Sequence, residues 1–528
     1  MAEQKKSPLK KMSKFYLTTP IYYVNSEPHI GHAYTNIISD CTARYQRLKG
    51  NQVFFLTGTD EHGEKIKKAA EAQQQEVKVF IDNKAEIFRK LWEKLNISND
   101  FFIRTTDDFH KQVVQVVVSK LIEKGDIYKA KYKGFYCTPC EGFWTPVQVK
   151  EAGGCPDCKR EVQLIEEDNY FFKLSKYQDW LVSHLKNNPG FAQPKSRYNE
   201  VSAFLEKNKL EDLCISRPKK RLSWGVAFPG DDQYVIYVWF DALINYISGA
   251  GYSIDQEKFS RLWPAEIHFM AKDILRHHAI FWPIMLKALD LELPKVVFAH
   301  GWWKFEGEKM SKSRGNIVNP FDVIETLAIS LSGSKEMAVD ALRYFLLREV
   351  PIGSDGTFSW PALFNRTNSD LANDLGNLVY RTLNMAEKYF EGKVKPSKSS
   401  LPFEFKQSLG NLEARYSELM DSCAFSVALE EVFGFIRAMN KFIEDSKPWT
   451  LWKEKKVEEL ENFLYYLLEG IRISALYLSA AMPNAAKSIY SQLGLTQGEF
   501  SLASAKWGTQ KEFKIKKEKP LFPRIDAD

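Results

Sequence analysis

An apolar run, an amphipathic helix and a second apolar run follow one another within the first sixty residues, and this succession restricts the fold more than any other feature. Phe15 to Val24 is β-rich and broken at Pro20, while Ile30 to Leu48 carries Ile30, Tyr34, Ile37, Cys41, Tyr45 and Leu48 at helical spacing. Gly50 stops that helix, and Val53 to Leu56 is a continuous apolar strand closing on Thr57, Gly58 and Thr59. Such a βαβ unit requires a parallel sheet. A second α/β block follows much later, at Tyr234 to Trp239, Ile267 to Met270 and Val296 to Ala299, with a helical stretch from Ile274 to Leu289. One α/β sheet of the nucleotide-binding kind, split by a long insert, accounts for both blocks.

The insert, roughly Tyr128 to Phe228, is polar and holds four of the seven cysteines. From about Trp360 onward strand signals fade, and amphipathic patterns recur through Leu371 to Tyr389, Leu412 to Asp445 and Val457 to Met482, which predicts a helix bundle. A length of 528 residues suits about three such units. Hydrophobic content of 44% and charged content of 27% exclude a disordered chain. The apolar stretch Phe463 to Met482 contains Glu469 and Arg472, so it reads as a buried bundle helix and not a membrane span. Neither a secretory signal nor a transit peptide fits the first residues, and the cytosol is the expected compartment. The formal charge of +6 is concentrated in lysines at both ends, Lys5 to Lys14 and Lys511 to Lys519, which fits either solvated tails or an RNA partner.

Pro28-His29-Ile30-Gly31-His32 lies where the first strand hands over to the first helix. A helix N-terminus offers unpaired N–H groups, Gly31 permits close approach of a nucleotide, and two imidazoles add donors toward a phosphate in nucleotidyl transfer. Paired surface histidines or a metal site share this short pattern. Lys309-Met310-Ser311-Lys312-Ser313, followed by Arg314-Gly315-Asn316, is a basic, hydroxyl-rich loop able to neutralise pyrophosphate, or simply a solvated one; the spacing of a Walker loop is absent. Cys137-Thr138-Pro139-Cys140 and Cys155-Pro156-Asp157-Cys158 have the spacing of a tetrahedral zinc site, and four thiolates would leave no open position, so the zinc is expected to be structural. A redox pair or buried thiols are the alternatives.

Taken together, the histidine and lysine segments resemble the HIGH and KMSKS signatures of class I aminoacyl-tRNA synthetases, in order and with a large insert between them. Within that class the chain is most similar to the methionyl-tRNA synthetase family, from about Phe15 to Trp449 and again at Pro520 to Ile525. The resemblance implies ATP-dependent activation of methionine and its transfer to tRNA(Met). It implies a catalytic domain of Rossmann type over 15–127 and 229–320 after a basic tail over 1–14. A connective insert with a zinc knuckle over 128–228, a stem-contact linker over 321–365 and a helical anticodon-binding domain over 366–528 complete the expected organisation.

Residue by residue, it implies a methionine pocket of Ile21, Tyr23, Asp60, Trp239, Ala242, Leu243, Tyr246, Ile274 and His278. A carboxylate such as Asp60 suits an α-ammonium and an aromatic slot suits a thioether, although Trp239 and Tyr246 also fit core packing. For ATP it implies His29, Gly31, His32, Lys272, Asp273, Lys309 and Lys312, with His29, His32, Lys309 and Lys312 acting on the reaction; Arg217 aligns less securely. Magnesium is expected with the ATP, without a dedicated carboxylate cage. Asn377, Arg381 and Trp449 are the implied anticodon readers, the first two one helical turn apart and Trp449 able to stack a base; bundle packing is the alternative.

One departure from the family pattern is an expected extra loop from Ile329 to Glu336. No appended tRNA-binding or dimerisation domain of the kind some relatives carry is expected after the bundle, so a monomer is expected. Two other readings share the motifs: a nucleotidyltransferase or a synthetase for another aliphatic amino acid, and a catalytically silent RNA-binding paralogue. The pocket residues and the lack of a large editing insert oppose the first, and intact His29, His32, Lys309 and Lys312 oppose the second.

Overall fold

In the computed structural model, residues 13–526 are described except for 139–141, 145, 157, 306–307, 310–316, 397–400, 497–499 and 511. The opening βαβ unit forms as the sequence predicts: β1 spans Lys14–Tyr23, the first helix Ile30–Leu48 and β2 Gln52–Asp60. The strands that follow are β3 (Phe101–Arg104), β4 (Ile127–Cys137), β5 (Gly142–Trp144), β6 (Gln163–Phe172), β7 (Ala192–Gln193), β8 (Leu213–Cys214), β9 (Ser216–Pro218), β10 (Tyr234–Ile236), β11 (Ile267–Ala271) and β12 (Val296–His300).

Six of them form one parallel sheet in the order β3-β2-β1-β11-β12-β7, with Leu17 opposite Ile267 and Phe269 opposite Phe298. Helices cover both faces, so the middle of each central strand is buried on both sides, with apolar residues such as Leu17, Phe55, Phe269 and Val297 interleaved with buried polar ones such as Thr18, Thr57 and His268. The segment between the halves folds mainly as an antiparallel sheet, β5-β4-β6-β8. Its chain returns once to the parallel sheet, where Ala192 and Gln193 add the edge strand β7 beside β12.

Tyr234 to Trp239 departs from expectation. Only Tyr234–Ile236 is extended, it pairs antiparallel with β9 outside the parallel sheet, and a helix begins at Val238. A short apolar run reports burial on all sides and does not distinguish a sheet strand from a hairpin arm followed by a buried helix. The stretch Ile274 to Leu289 also divides. A π-helical turn at His277–Phe281 precedes the helix Trp282–Ala288, whose first turn accepts Pro283 because no N–H is needed there.

In the C-terminal third, Leu412 to Asp445 is two helices, Phe403–Asp421 and Phe425–Ser446, separated where Cys423 takes a left-handed φ of 58°. They pack with Asn377–Phe390, Val457–Leu478 and Pro483–Gln492. Glu469 and Arg472 form a buried pair at 2.7 Å inside Val457–Leu478, and among the described residues no helix is long and apolar enough to cross a membrane. The expected loop from Ile329 to Glu336 is shorter than the sequence suggested. The helices Pro320–Ser330 and Lys335–Arg348 consume its ends, and Ser334 caps the second by accepting from the Met337 N–H.

Bundle and sheet are joined by a buried ion pair. Arg343, from Lys335–Arg348, meets Asp40 of the first helix at 2.7 Å and also donates to the carbonyls of Leu95, Ala480 and Ala481.

Candidate active site

A parallel sheet concentrates chemistry at the carboxyl ends of its strands, above all where the strand order reverses. Here the reversal lies between β1 and β11, and the chain leaves those ends through Tyr23, Asp60, Lys272 and Gly301.

His29 caps the first helix, its Nδ1 accepting from the Gly31 N–H at 3.1 Å, while His32 Nδ1 accepts from the His29 N–H at 3.1 Å. The two side chains therefore act as a reciprocal capping box built from imidazoles. Their rings stack with centroids 3.8 Å apart. A Cβ on Gly31 would stand 2.9 Å from His29 Cε1, so only glycine lets that ring fold over the helix end. Since each Nδ1 accepts, each neutral ring carries its proton on Nε2. Burial, and then the neighbouring His29, hold His32 well below the usual imidazole range, so it is neutral at pH 7. Two imidazole N–H donors thus flank a helix N-terminus.

Most of the predicted methionine residues share one apolar cluster, which takes in the end of β1. Tyr23 meets Trp239 edge-on at 6.1 Å, and Tyr246 donates to His278 Nε2 at 2.7 Å while His278 Nδ1–H donates to the Ile274 carbonyl at 2.9 Å. Burial pushes His278 down to about 4, which keeps it neutral and fixes this tautomer. Ile21, Leu243, Tyr246 and Ile274 share one apolar cluster with Trp239; Ala242 is buried next to it and Asp60 is buried at the end of β2.

Lys272 donates to Asp355 at 2.6 Å and lies 4.3 Å from the Trp302 ring, and Trp302 Nε1–H donates to Asp273 at 3.2 Å. Lys309 ends a short strand paired with Trp303–Phe305. Lys312 lies outside the described residues. Arg217 is buried against the rings of Tyr136 and Tyr237, at 5.2 and 4.4 Å.

Several residues at these strand ends escaped the sequence reading. His277 stacks on Trp239 at 3.9 Å, and His300 ends β12 in a hydrogen bond to Thr35 of the first helix at 2.8 Å. Asp355 bridges Lys272 and Lys304. No local pattern marks them, because each partner lies far away in sequence.

In the insert, the Sγ atoms of Cys137, Cys155 and Cys158 lie within 4.8 Å of one another, with Cys137 and Cys158 3.5 Å apart. Thiolates about 2.3 Å from a tetrahedral zinc stand about 3.8 Å from each other, so the donor set fits that ion. Cys140 lies outside the described residues. In the bundle, Asn377 and Trp449 are exposed and Arg381 pairs with Glu444 at 2.7 Å. Trp449 sits in a short helix whose entry is set by Lys447, at φ 44°, and Pro448.

The family model described as tRNA synthetases class I (M) matches residues 15–166 and 159–383. The chain is 47% identical over 519 residues to the methionine–tRNA ligase of Caldanaerobacter subterraneus subsp. tengcongensis, covering 97% of this chain and 79% of that protein. It is 45% identical over 520 residues to that of Thermotoga maritima, covering 97% and 81%. The solved structure of Mycobacterium tuberculosis methionyl-tRNA synthetase in complex with methionyl-adenylate matches with a TM-score of 0.90 at 38% identity, over 97% of this chain and all of that one. The free form of the same enzyme matches with a TM-score of 0.84. A split parallel sheet with paired imidazoles at its switch point, a cysteine cluster in the insert and a following helix bundle agree with that likeness along nearly the whole sequence: the chain belongs to the methionine–tRNA ligase family of class I aminoacyl-tRNA synthetases.

Proposed function

We propose that the chain activates methionine with ATP to give methionyl-adenylate and pyrophosphate, then transfers the methionyl group to the 3′-terminal ribose of tRNA(Met). The observation that carries this reading is the stacked His29–His32 pair heading the first helix at the sheet's switch point.

In this reading Asp60 holds the methionine ammonium, and Ile21, Tyr23, Trp239, Ala242, Leu243, Tyr246, Ile274 and His278 enclose the side chain. The methionine carboxylate attacks the α-phosphate in line. His29 and His32 donate to the charge that develops there, Lys272 and Asp273 place the nucleotide, and Lys309 and Lys312 neutralise the departing pyrophosphate. No protein nucleophile is needed, since such transfer is driven by positioning and electrostatics. ATP is taken as its Mg2+ complex.

Cys137, Cys140, Cys155 and Cys158 hold a structural zinc that staples the insert. Asn377, Arg381 and Trp449 read the anticodon. The enzyme acts as a cytosolic monomer.

The test is amino-acid-dependent exchange of labelled pyrophosphate into ATP across all twenty amino acids. Exchange is expected with methionine and is expected to fall on the order of 100-fold in His29→Ala. Exchange with another amino acid would move the specificity, and none with any would overturn the reading.

A further inference from the structure

Asp241 is wholly buried and belongs to none of the roles above. Its Oδ2 accepts from His62 Nδ1–H at 2.6 Å and its Oδ1 from His110 Nε2–H at 2.8 Å; the other nitrogen of His110 lies 2.7 Å from Ser248 Oγ. Both imidazoles are buried as well. A carboxylate taken this far from water is retained only if its lone pairs are satisfied, and here each oxygen has an imidazole donor.

The three partners come from separate parts of the chain. His62 is two residues past Asp60, in a run where Asp60, Glu61 and His62 are all buried. Glu61 fixes that run on one side, accepting from Arg104 Nε at 2.6 Å and from Thr59 Oγ1 at 2.7 Å, while its carbonyl accepts from Trp224 Nε1 at 2.6 Å. His62 fixes the other side through Asp241. Asp241 lies on the helix Val238–Leu243, between Trp239 and the Ala242–Leu243 pair. That helix has six residues and no side-chain cap, too short to hold its own position, so its tertiary contacts decide where Trp239 stands.

We infer that Asp241 is a positioning residue for methionine: by clamping His62 and His110 it sets the spacing between Asp60, which meets the ammonium, and Trp239, which walls the side chain. This rests on the methionine pocket proposed above. The clamp holds both walls of one substrate and is separate from the Glu61–Arg104 contact. Loosening it weakens methionine binding while the nucleotide side, built on the first helix and on β11, is untouched.

The experiment is pyrophosphate exchange with the full-length enzyme, reading KM for methionine and KM for ATP separately in Asp241→Asn, His62→Ala, His62→Asn and the double variant Asp241→Asn/His62→Ala. Asparagine at position 62 places an N–H donor where Nδ1 stands. Asp241→Asn and His62→Ala are expected to raise KM for methionine about ten-fold, the cost of a charge-assisted hydrogen bond, with KM for ATP within about two-fold. His62→Asn restores most of the loss, and the double variant is no worse than the poorer single one. An unchanged KM for methionine in folded Asp241→Asn and His62→Ala overturns the inference, as does an equal rise in both constants. Should Asp241→Asn fail to fold, the His62 pair decides alone, and equal KM values for alanine and asparagine overturn it. Absence of methionine-dependent exchange in the parent enzyme would instead remove the pocket reading on which the inference stands.

Discussion

Arg343 donates to Asp40 across 2.7 Å with neither side chain exposed, and this one contact ties the bundle's approach helix to the first helix of the catalytic sheet. Burial alone would raise Asp40, but the guanidiniums of Arg44 and Arg343 overcome it and hold the carboxyl at about 2. Arg343→Ala would leave that carboxylate buried with part of its charge uncompensated and three carbonyls without a donor. We expect a loss of about 3–5 kcal/mol in chemical denaturation. A loss below about 1 kcal/mol would show that the joint does not depend on the pair.

Asp340 lies one helical turn before Arg343 and behaves in the opposite sense. Burial lifts it to about 7, against the pull of the Ala485 N–H and of Arg343. A carboxyl raised in the folded state contributes stability that is full below its ordinary value of 3.8 and is lost as pH rises through about 7. Asp340→Asn keeps an acceptor for Ala485 and removes the titration. The parent's melting temperature is expected to fall relative to the variant's from about pH 4 to about pH 7 and to keep a constant difference from it above that. Parallel pH profiles would exclude Asp340 as the source.

Because His32 is already neutral, its protonation is not what the activation step waits for. The pyrophosphate-exchange rate should show no loss from His32 titration between pH 6 and 8, and His32→Gln, which retains an N–H near the Nε2 position, should keep more activity than His32→Ala. Equal losses would mean the ring's stacking on His29 matters more than its proton.

If the cluster of Cys137, Cys155 and Cys158 holds the proposed zinc, elemental analysis should find about one zinc per chain. Cys155→Ser should lower that content and the stability of the insert, while leaving the exchange reaction far less affected than His29→Ala. A metal-free, fully stable parent would eliminate the site.

Glu444 pairs with Arg381, one of the residues proposed to read the anticodon. Glu444→Gln removes an anion that opposes a phosphate backbone, so KM for tRNA should fall several-fold in low salt, with methionine activation unchanged. Trp449→Ala should raise the same KM. No change in either would move the anticodon surface elsewhere.

The first helix was legible to the residue, Ile30–Leu48 in sequence and structure alike, because its apolar period, its head and its stop all lie within one local stretch. The gathering of Cys137, Cys155 and Cys158 was legible for the same reason. Tyr234 to Trp239 misled because a fully buried segment loses its period, and the division of Leu412 to Asp445 turns on one left-handed residue, Cys423, that carries no glycine signal. Asp241, His110, His277, His300 and Asp355 were illegible because their roles are set by partners distant in sequence or by the pitch of a π-turn. Fold class follows from local periods, whereas the residues that hold the pocket walls in place follow only from tertiary packing.

The pairing of β1 with β11 also has a temporal side. Thr18 and His268, hydrogen-bonded at 2.7 Å, are separated by 250 residues. At about 5–20 residues per second, a ribosome needs roughly 12–50 s to deliver the second partner after the first. Throughout that interval the open side of β1 is a bare apolar strand edge with its proper neighbour still unsynthesised, the state in which strands pair wrongly or aggregate. The intervening insert, with its own antiparallel sheet and cysteine cluster, can fold during that wait, so the order of synthesis makes it the companion of an unfinished sheet before it becomes part of a finished enzyme.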